Sequence, residues 1–219
     1  MRRFSEAATF VDIGPRALVF AEGDDRRELF SVVDGVVKLF KALPDGRQQV
    51  LGFAMPGSVL GLEAGPVLGH SATAVTPIRV CRVEWRRFDR LLTAFPPLER
   101  RLREIAYAEL EAAREHLLTL GQKTAKERVA TFLLNLLRGG NGPAAGWVFL
   151  PMLRSDIADH LGLRLETVSR VLSEFTKAGL IRQEGLHMLR CLNPRRLAAI
   201  AEGDLRQGCD VQAKKRAAS

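Results

Sequence analysis

An α+β fold in three parts is predicted for this chain: an N-terminal β-roll, a long helix and a C-terminal winged helix-turn-helix. Three observations predict it. The first 95 residues break into short apolar runs punctuated by turn residues. Residues 98–120 contain neither Gly nor Pro and are rich in Leu, Ala, Glu and Arg. Ala158, Gly162 and Val168 then stand at offsets of four and six within an apolar-periodic stretch. The 219 residues suffice for one or two ordinary domains, each with a core.

The expected parts are a roll over 1–95, the long helix over 96–121, the winged helix-turn-helix over 122–201 and a flexible basic tail over 202–219. In the roll, Val19-Phe20 runs into the turn Glu22-Gly23-Asp24-Asp25. Leu29–Val33 and Val36–Leu43 flank Asp34-Gly35, a strong hairpin signal. Pro44-Asp45-Gly46-Arg47 is a second turn before the strand Gln48–Phe53. Pro56-Gly57, Gly61, Gly65-Pro66 and Gly69 interrupt the next stretch, and Thr73–Val83 reads as one alternating strand ending at Glu84. Short strands at this spacing fit a small all-β barrel or roll.

Pro96-Pro97 marks the change to helix. Leu98–Leu120 is about 35 Å long at 1.5 Å per residue. Ala106, Leu110, Ala113, Leu117 and Leu120 recur at alternating steps of four and three, the spacing of a coiled-coil seam. Glu109, Glu111, Arg114 and Glu115 flank that seam, which favours a homodimer over a buried helix in a monomer. Leu98, Leu102 and Ile105 form a second apolar face suited to the roll. Gly121 ends the helix, and Lys123–Leu137 reads as another, followed by the loop 139–143 and a short strand Trp147–Leu150.

Residues 155–172 have helix-turn-helix spacing. Ala158 is small enough for two helices to cross closely, Gly162 can take the positive φ that ends a helix sharply, and Val168 fills the corner. Ile157, Leu161, Val171 and Leu172 complete the contact. A plain helical hairpin is the alternative; the triple favours a DNA-binding unit. Glu166, Ser169 and Arg170 fall on one stripe of the second helix. Arg170 can bridge guanine O6 and N7, Glu166 can accept from a cytosine amino group, and Ser169 can do either. Beyond Ala178-Gly179, Leu180–Arg190 reads as a hairpin wing with Arg182 and Arg190 able to reach phosphate.

Charge and composition narrow the function classes. Net charge is +8 with 47% apolar and 26% charged residues, so neither a disordered tail nor a membrane protein is indicated. No run of about 18 apolar residues exists. Glu6, Asp12 and Arg16 interrupt any signal peptide that Arg2 and Arg3 could begin, so a cytoplasmic protein is expected. Residues 101–219 hold 19 Lys/Arg against 13 Asp/Glu, the first hundred 14 against 12. A basic second half fits a polyanion partner as well as mere solubility. Cys81, Cys191 and Cys209 are too scattered for a disulfide framework or a local metal site, and His70, His116, His160 and His187 lack ligand spacing. Cys81 alternates as a buried thiol. Cys191 lies near the wing, where oxidation is the alternative to inertness. Ser-His-Asp, paired-carboxylate and P-loop patterns are missing, so no enzyme is expected.

The run Asp156-Ile157-Ala158-x-x-Leu161-Gly162-Leu163-x-x-Glu166-Thr167-Val168-Ser169-Arg170-x-Leu172 resembles the signature of the CRP/FNR transcription regulators. Leu150-Pro151-Met152 and Asp45-Gly46-Arg47-Gln48-Gln49 are most similar to its FixK-type branch. The resemblance spans about residues 8–200. It implies a cyclic-nucleotide-binding-like jelly roll, a dimerisation helix, and a homodimer on double-stranded DNA at TTGA–TCAA half-sites, acting as an activator with RNA polymerase. It assigns Arg154, Ser155, Arg164 and Thr167 to the DNA backbone and Asp45, Arg47 and Gln48 to the polymerase. The effector pocket falls at Gly57, Gly61, Glu63, His70 and Ser71.

The departures matter. Gly61-Leu62-Glu63 and His70-Ser71 stand where cyclic-AMP-binding members carry Gly-Glu-Leu and Arg-Ser, so the cyclic phosphate loses its bidentate partner. Residues 1–30 lack the cysteines of oxygen-sensing members, so neither cyclic AMP nor an iron–sulfur cluster is expected. His70 is a haem-ligand candidate or an ordinary loop histidine. Leu153 occupies the usual Ser/Thr cap, leaving Ser155 or Asp156 to serve the first amides. An effector-gated sensor of the same fold, and a cyclic-nucleotide-type module that binds no DNA, stay open as alternatives.

Overall fold

Turn chemistry and alternation decide the strands of the first unit. The computed structural model describes residues 8–63, 65–140 and 142–203. Eight strands form there: β1 (Ala8–Ile13), β2 (Leu18–Phe20), β3 (Glu28–Asp34), β4 (Val37–Ala42), β5 (Gln48–Ala54), β6 (Val59–Leu60), β7 (Ser71–Ala74) and β8 (Ile78–Glu84). They make two antiparallel four-stranded sheets, ordered β1-β8-β3-β6 and β2-β7-β4-β5. Gly35 turns β3 into β4 at φ +84, where a Cβ would collide with the Pro77 carbonyl oxygen. The inward residues, among them Phe30, Val32, Val37, Ala72, Ile78 and Val80, form one core.

The stretch expected as a single strand over 73–83 is two. Pro77 has no N–H for a ladder, and the chain changes sheets around it: β7 pairs with β4, β8 with β3. The roll also ends in a helix that the strand reading did not anticipate, α1 (Trp85–Ala94). Phe88 is buried with Leu29 and Val83, and Trp85 and Leu92 pack on the same cluster.

The long helix, α2, runs Pro96–Gln122. It starts on the prolines themselves, because a first-turn N–H has no partner to lose. It continues one residue past Gly121. Leu98 and Leu102 pack against Leu29, Val83 and Phe88, the second apolar face read from the sequence. The chain divides into two compact units between Arg114 and Glu115, inside this helix.

The second unit holds α3 (Ala125–Arg138), β9 (Trp147–Phe149), α4 (Arg154–Leu161), α5 (Leu165–Lys177), β10 (Ile181–Glu184), β11 (Met188–Cys191) and α6 (Pro194–Ala201). Helix α3 starts two residues later than its apolar pattern, because Thr124 and Glu127 form a capping box. Helix α6 was not expected; Asn193 caps it by accepting from the Arg196 N–H, with Pro194 next. The strands order as β10-β11-β9. Val129, Leu133, Val148, Ile157, Leu161, Val168 and Leu197 are each no more than 1% exposed. Burying a side chain of this size contributes roughly 1.5–3 kcal/mol. Among the described residues, no helix is long and apolar enough to cross a membrane. Of the expected basic tail, residues 204–219, with Cys209 and Lys214-Lys215-Arg216, lie outside the described residues.

Candidate nucleic-acid interface

The corner between α4 and α5 is built by three residues. Gly162 closes α4 at φ 60 and ψ 41, and Leu163 donates its N–H back to the Ala158 carbonyl at 3.0 Å. Ala158 is 3% exposed and Val168 is fully buried, so the crossing is close and filled. The N-terminus of α4 lacks a side-chain cap from Leu153. Buried Asp156 instead accepts the Leu153 N–H at 3.3 Å, the role the sequence left to Ser155 or Asp156.

This packing turns one stripe of α5 outward. Glu166, Ser169 and Arg170 are all exposed, whereas Val168, Val171, Leu172 and Phe175 are buried. Neither Glu166 nor Arg170 comes within ion-pair distance of a partner among the described residues, although the Glu174 carboxyl, one turn along α5, is held below its ordinary value by the Lys126 hydrogen bond and, in smaller part, by the Arg170 charge. Arg164 is exposed just before α5, and Thr167 is half-buried in its first turn. Ser155 is exposed on α4. Arg154 is half-buried, and desolvation pulls its guanidinium below its ordinary value, so only part of it faces outward.

The wing is a hairpin in which Arg182 and Arg190 are direct cross-strand partners, both exposed. Arg190 also lies over the Trp147 ring, 5.8 Å from its centroid. Cys191, in the same strand, is buried, and burial pushes its thiol up, away from the reactive thiolate. Burial likewise raises half-buried Cys81.

Along α2, Ala106, Leu110, Ala113 and Leu117 are exposed, Leu110 by 48% and Leu117 by 70%. Tyr107 and Leu118 are exposed as well, at 66% and 51%, about a quarter turn around the helix from this stripe. Leu120 differs: it is half-buried, with its Cδ2 close to where a Gly162 Cβ would stand. An apolar stripe of this extent is unusual on a helix with nothing against it.

In the roll, Gly57 and Gly61 take positive φ, and a Cβ on Gly61 would stand 2.8 Å from the Glu28 carbonyl oxygen. His70 Nδ1 is 3.0 Å from Glu63 Oε1, and the ring packs edge-on against Phe20. The Ser71 hydroxyl accepts the Glu22 N–H at 2.9 Å. Partial desolvation and then the Glu63 charge raise the Glu109 carboxyl. A cyclic phosphate needs a fork of donors; His70 stands where the cyclic-AMP-binding pattern has an arginine, and beside Glu63 the Arg26 guanidinium donates Nη1 to the Glu63 carbonyl at 2.6 Å and keeps its Nε buried without a hydrogen-bond partner among the described residues. At the β4–β5 tip Asp45 and Arg47 pair with each other at 2.7 Å, and Gln48 is exposed beside them.

Two features of the second unit escaped the sequence reading. Arg128 donates to four backbone carbonyls, and the rings of His116 and His160 stack at 4.2 Å. Neither has a period or spacing that a linear reading detects.

The family model of the Crp-like helix-turn-helix domain matches residues 127–200, and that of the cyclic nucleotide-binding domain matches residues 10–95. The nitrogen fixation regulation protein FixK of Bradyrhizobium diazoefficiens is 38% identical over 92% of this chain and 85% of its own. The transcriptional activatory protein AadR of Rhodopseudomonas palustris is 36% identical over 90% of this chain and 83% of its own. The solved structure of FixK2 from Bradyrhizobium japonicum superposes with a TM-score of 0.82 at 38% identity, over 87% of this chain and 96% of that one.

Proposed function

The chain belongs to the CRP/FNR family of DNA-binding transcription regulators, and from that premise we propose that it works as a homodimeric activator on a TTGA–TCAA palindrome. The observation that carries this reading is the outward stripe Glu166, Ser169 and Arg170, unpaired and set on the second helix of the corner. Arg170 holds the guanine, Glu166 accepts from the cytosine amino group, and Ser169 helps select the neighbouring T·A pair. Leu165 stands where an arginine would add a further guanine contact. Ser155, Arg164, Thr167, Arg182, Arg190 and the outward part of Arg154 serve the phosphates, fixing register without reading sequence.

Two half-sites one helical turn apart require two recognition helices related by symmetry. The exposed apolar stripe of α2 supplies the pairing face. The Asp45–Arg47 tip with Gln48 is the surface offered to RNA polymerase. The site of action is the cytoplasm. DNA binding is read as needing no cyclic AMP, because His70 stands where an arginine would pair with the cyclic phosphate. An effector-gated version of the same regulator is the second reading, favoured by one observation: buried Nε2 of His70 has no hydrogen-bond partner among the described residues.

Selection from a random DNA pool tests the first reading. Palindromes with TTGA-like half-sites are expected. A selected site of other sequence would remove the base assignments even if the protein still binds DNA. A co-purifying ligand or chromophore bound at His70, with DNA affinity that follows its occupancy, would establish the second.

A further inference from the structure

We propose that Arg128 is the positioning residue that sets the angle between the last two turns of the dimerisation helix, from Glu115 onward, and the recognition helix, and thereby the half-site spacing the protein accepts. The inference rests on the homodimer-and-palindrome reading above. Arg128 sits on the first turn of α3, one step after the Thr124–Glu127 capping box. Its Nη2 donates to the Leu120 carbonyl at 2.8 Å, on the last turn of α2. Its Nε donates to the Lys123 carbonyl at 2.9 Å, in the link between the helices. Nη1 reaches the Leu161 carbonyl at 2.9 Å and the Gly162 carbonyl at 3.5 Å, where α4 ends and the corner begins.

One planar group thus holds the C-terminal ends of two helices. Both ends present carbonyls without intrahelical partners and the negative pole of a helix, which a cation satisfies. The plane of the guanidinium fixes its donors in one fork, so the acceptors are held in one geometry rather than merely neutralised. No carboxylate pairs with Arg128 among the described residues; its donors go to backbone. Gly162 lies against it: a Cβ there would stand 3.4 Å from Nη1, in ordinary contact. Only two residues, Lys123 and Thr124, separate α2 from α3. Helix α5 is about 20 Å long, so a pivot of about 10° at its Gly162 end swings the other end by about 3 Å, near one base-pair step.

The test uses the full chain and palindromic duplexes whose half-sites are separated by graded spacers. Wild type is expected to prefer one spacer over its neighbours by about tenfold. R128A should lose most of that preference while still sedimenting as a dimer and still discriminating TTGA from base-substituted half-sites as wild type does. A residue that merely supports the fold would move base and spacer discrimination together. If R128A fails to fold, R128K decides: lysine keeps the charge and much of the volume but donates from a single nitrogen and cannot reproduce the planar fork to four carbonyls, so spacer preference should fall to an intermediate value. Retention of full spacer preference in folded R128A, or in R128K, overturns the role of Arg128 alone. A wild type indifferent to spacer overturns both this role and the palindrome reading.

Discussion

Replacing Gly162 by Ala tests how the corner is held. An L-residue at φ 60 costs about 1–2 kcal/mol relative to the right-handed region. Alanine also narrows the unfolded ensemble, which returns about 0.5 kcal/mol. The net loss is about 1 kcal/mol from backbone alone. The new Cβ then stands 3.4 Å from Arg128 Nη1 and 3.6 Å from Leu120 Cδ2, both ordinary van der Waals distances. The bond it disturbs, Nη1 to the Gly162 carbonyl, is the longest that Arg128 makes, at 3.5 Å. This adds less than about 0.5 kcal/mol. Gly179 is the control: its φ is +68 and nothing lies within 4 Å of a Cβ there. The two tryptophans are Trp85 and Trp147, one in each unit. A W85F background therefore leaves Trp147 fluorescence to follow urea unfolding of the second unit. Both variants should lose about 1 kcal/mol, Gly162→Ala slightly more. A neutral or stabilised Gly162→Ala would refute the left-handed corner. A loss above about 3 kcal/mol there, with about 1 at Gly179, would refute the idea that the Cβ meets Arg128 in ordinary contact.

Three further outcomes are expected. Arg170→Ala should weaken binding by about 1–3 kcal/mol and relax preference at the guanine, while Arg190→Ala should weaken all sequences alike and lower the salt slope by about one; salt-dependent gel shifts on matched and mismatched duplexes separate the two. Leu110→Glu with Leu117→Glu should give monomers in sedimentation and lose most DNA affinity, and unchanged dimers would place the seam elsewhere. Desolvation holds His116 below its ordinary value, so the unfolded chain protonates first as pH falls. The neutral ring's contribution is complete above the ordinary histidine value, about 6.5, and is lost as pH falls through it toward the lowered folded value. Trp147-monitored unfolding from pH 8 to 5 should show that slope, and His116→Asn should flatten it.

The corner was legible because each of its residues answers a local demand: small at Ala158, left-handed at Gly162, aliphatic at Val168. The outward stripe followed from helical periodicity alone. Helix α1 was not legible, since the alternation up to Glu84 runs straight into it and Pro96-Pro97 looked like the first helical boundary. Its own signal is Trp85, Phe88, Leu91 and Leu92 at helical spacing. The break at Pro77 hid inside a pattern whose period survives the change of sheet. Leu120 reads as one more seam position, yet it is half-buried near the corner at Gly162. Arg128 looked like any surface arginine, because carbonyls brought from residues 120, 161 and 162 leave no trace in a linear chain.

The division inside α2 bears on how such regulators exchange parts. The last two turns of that helix, from Glu115 onward, belong to the same compact unit as the corner they touch. Leu120 offers its carbonyl to Arg128, and His116 stacks on His160. A hybrid spliced at the visible end of the helix would carry a reading head stripped of the surface it rests on. Inheritance, natural or engineered, that keeps the head working has its seam in the middle of a continuous helix, where secondary structure shows no boundary at all.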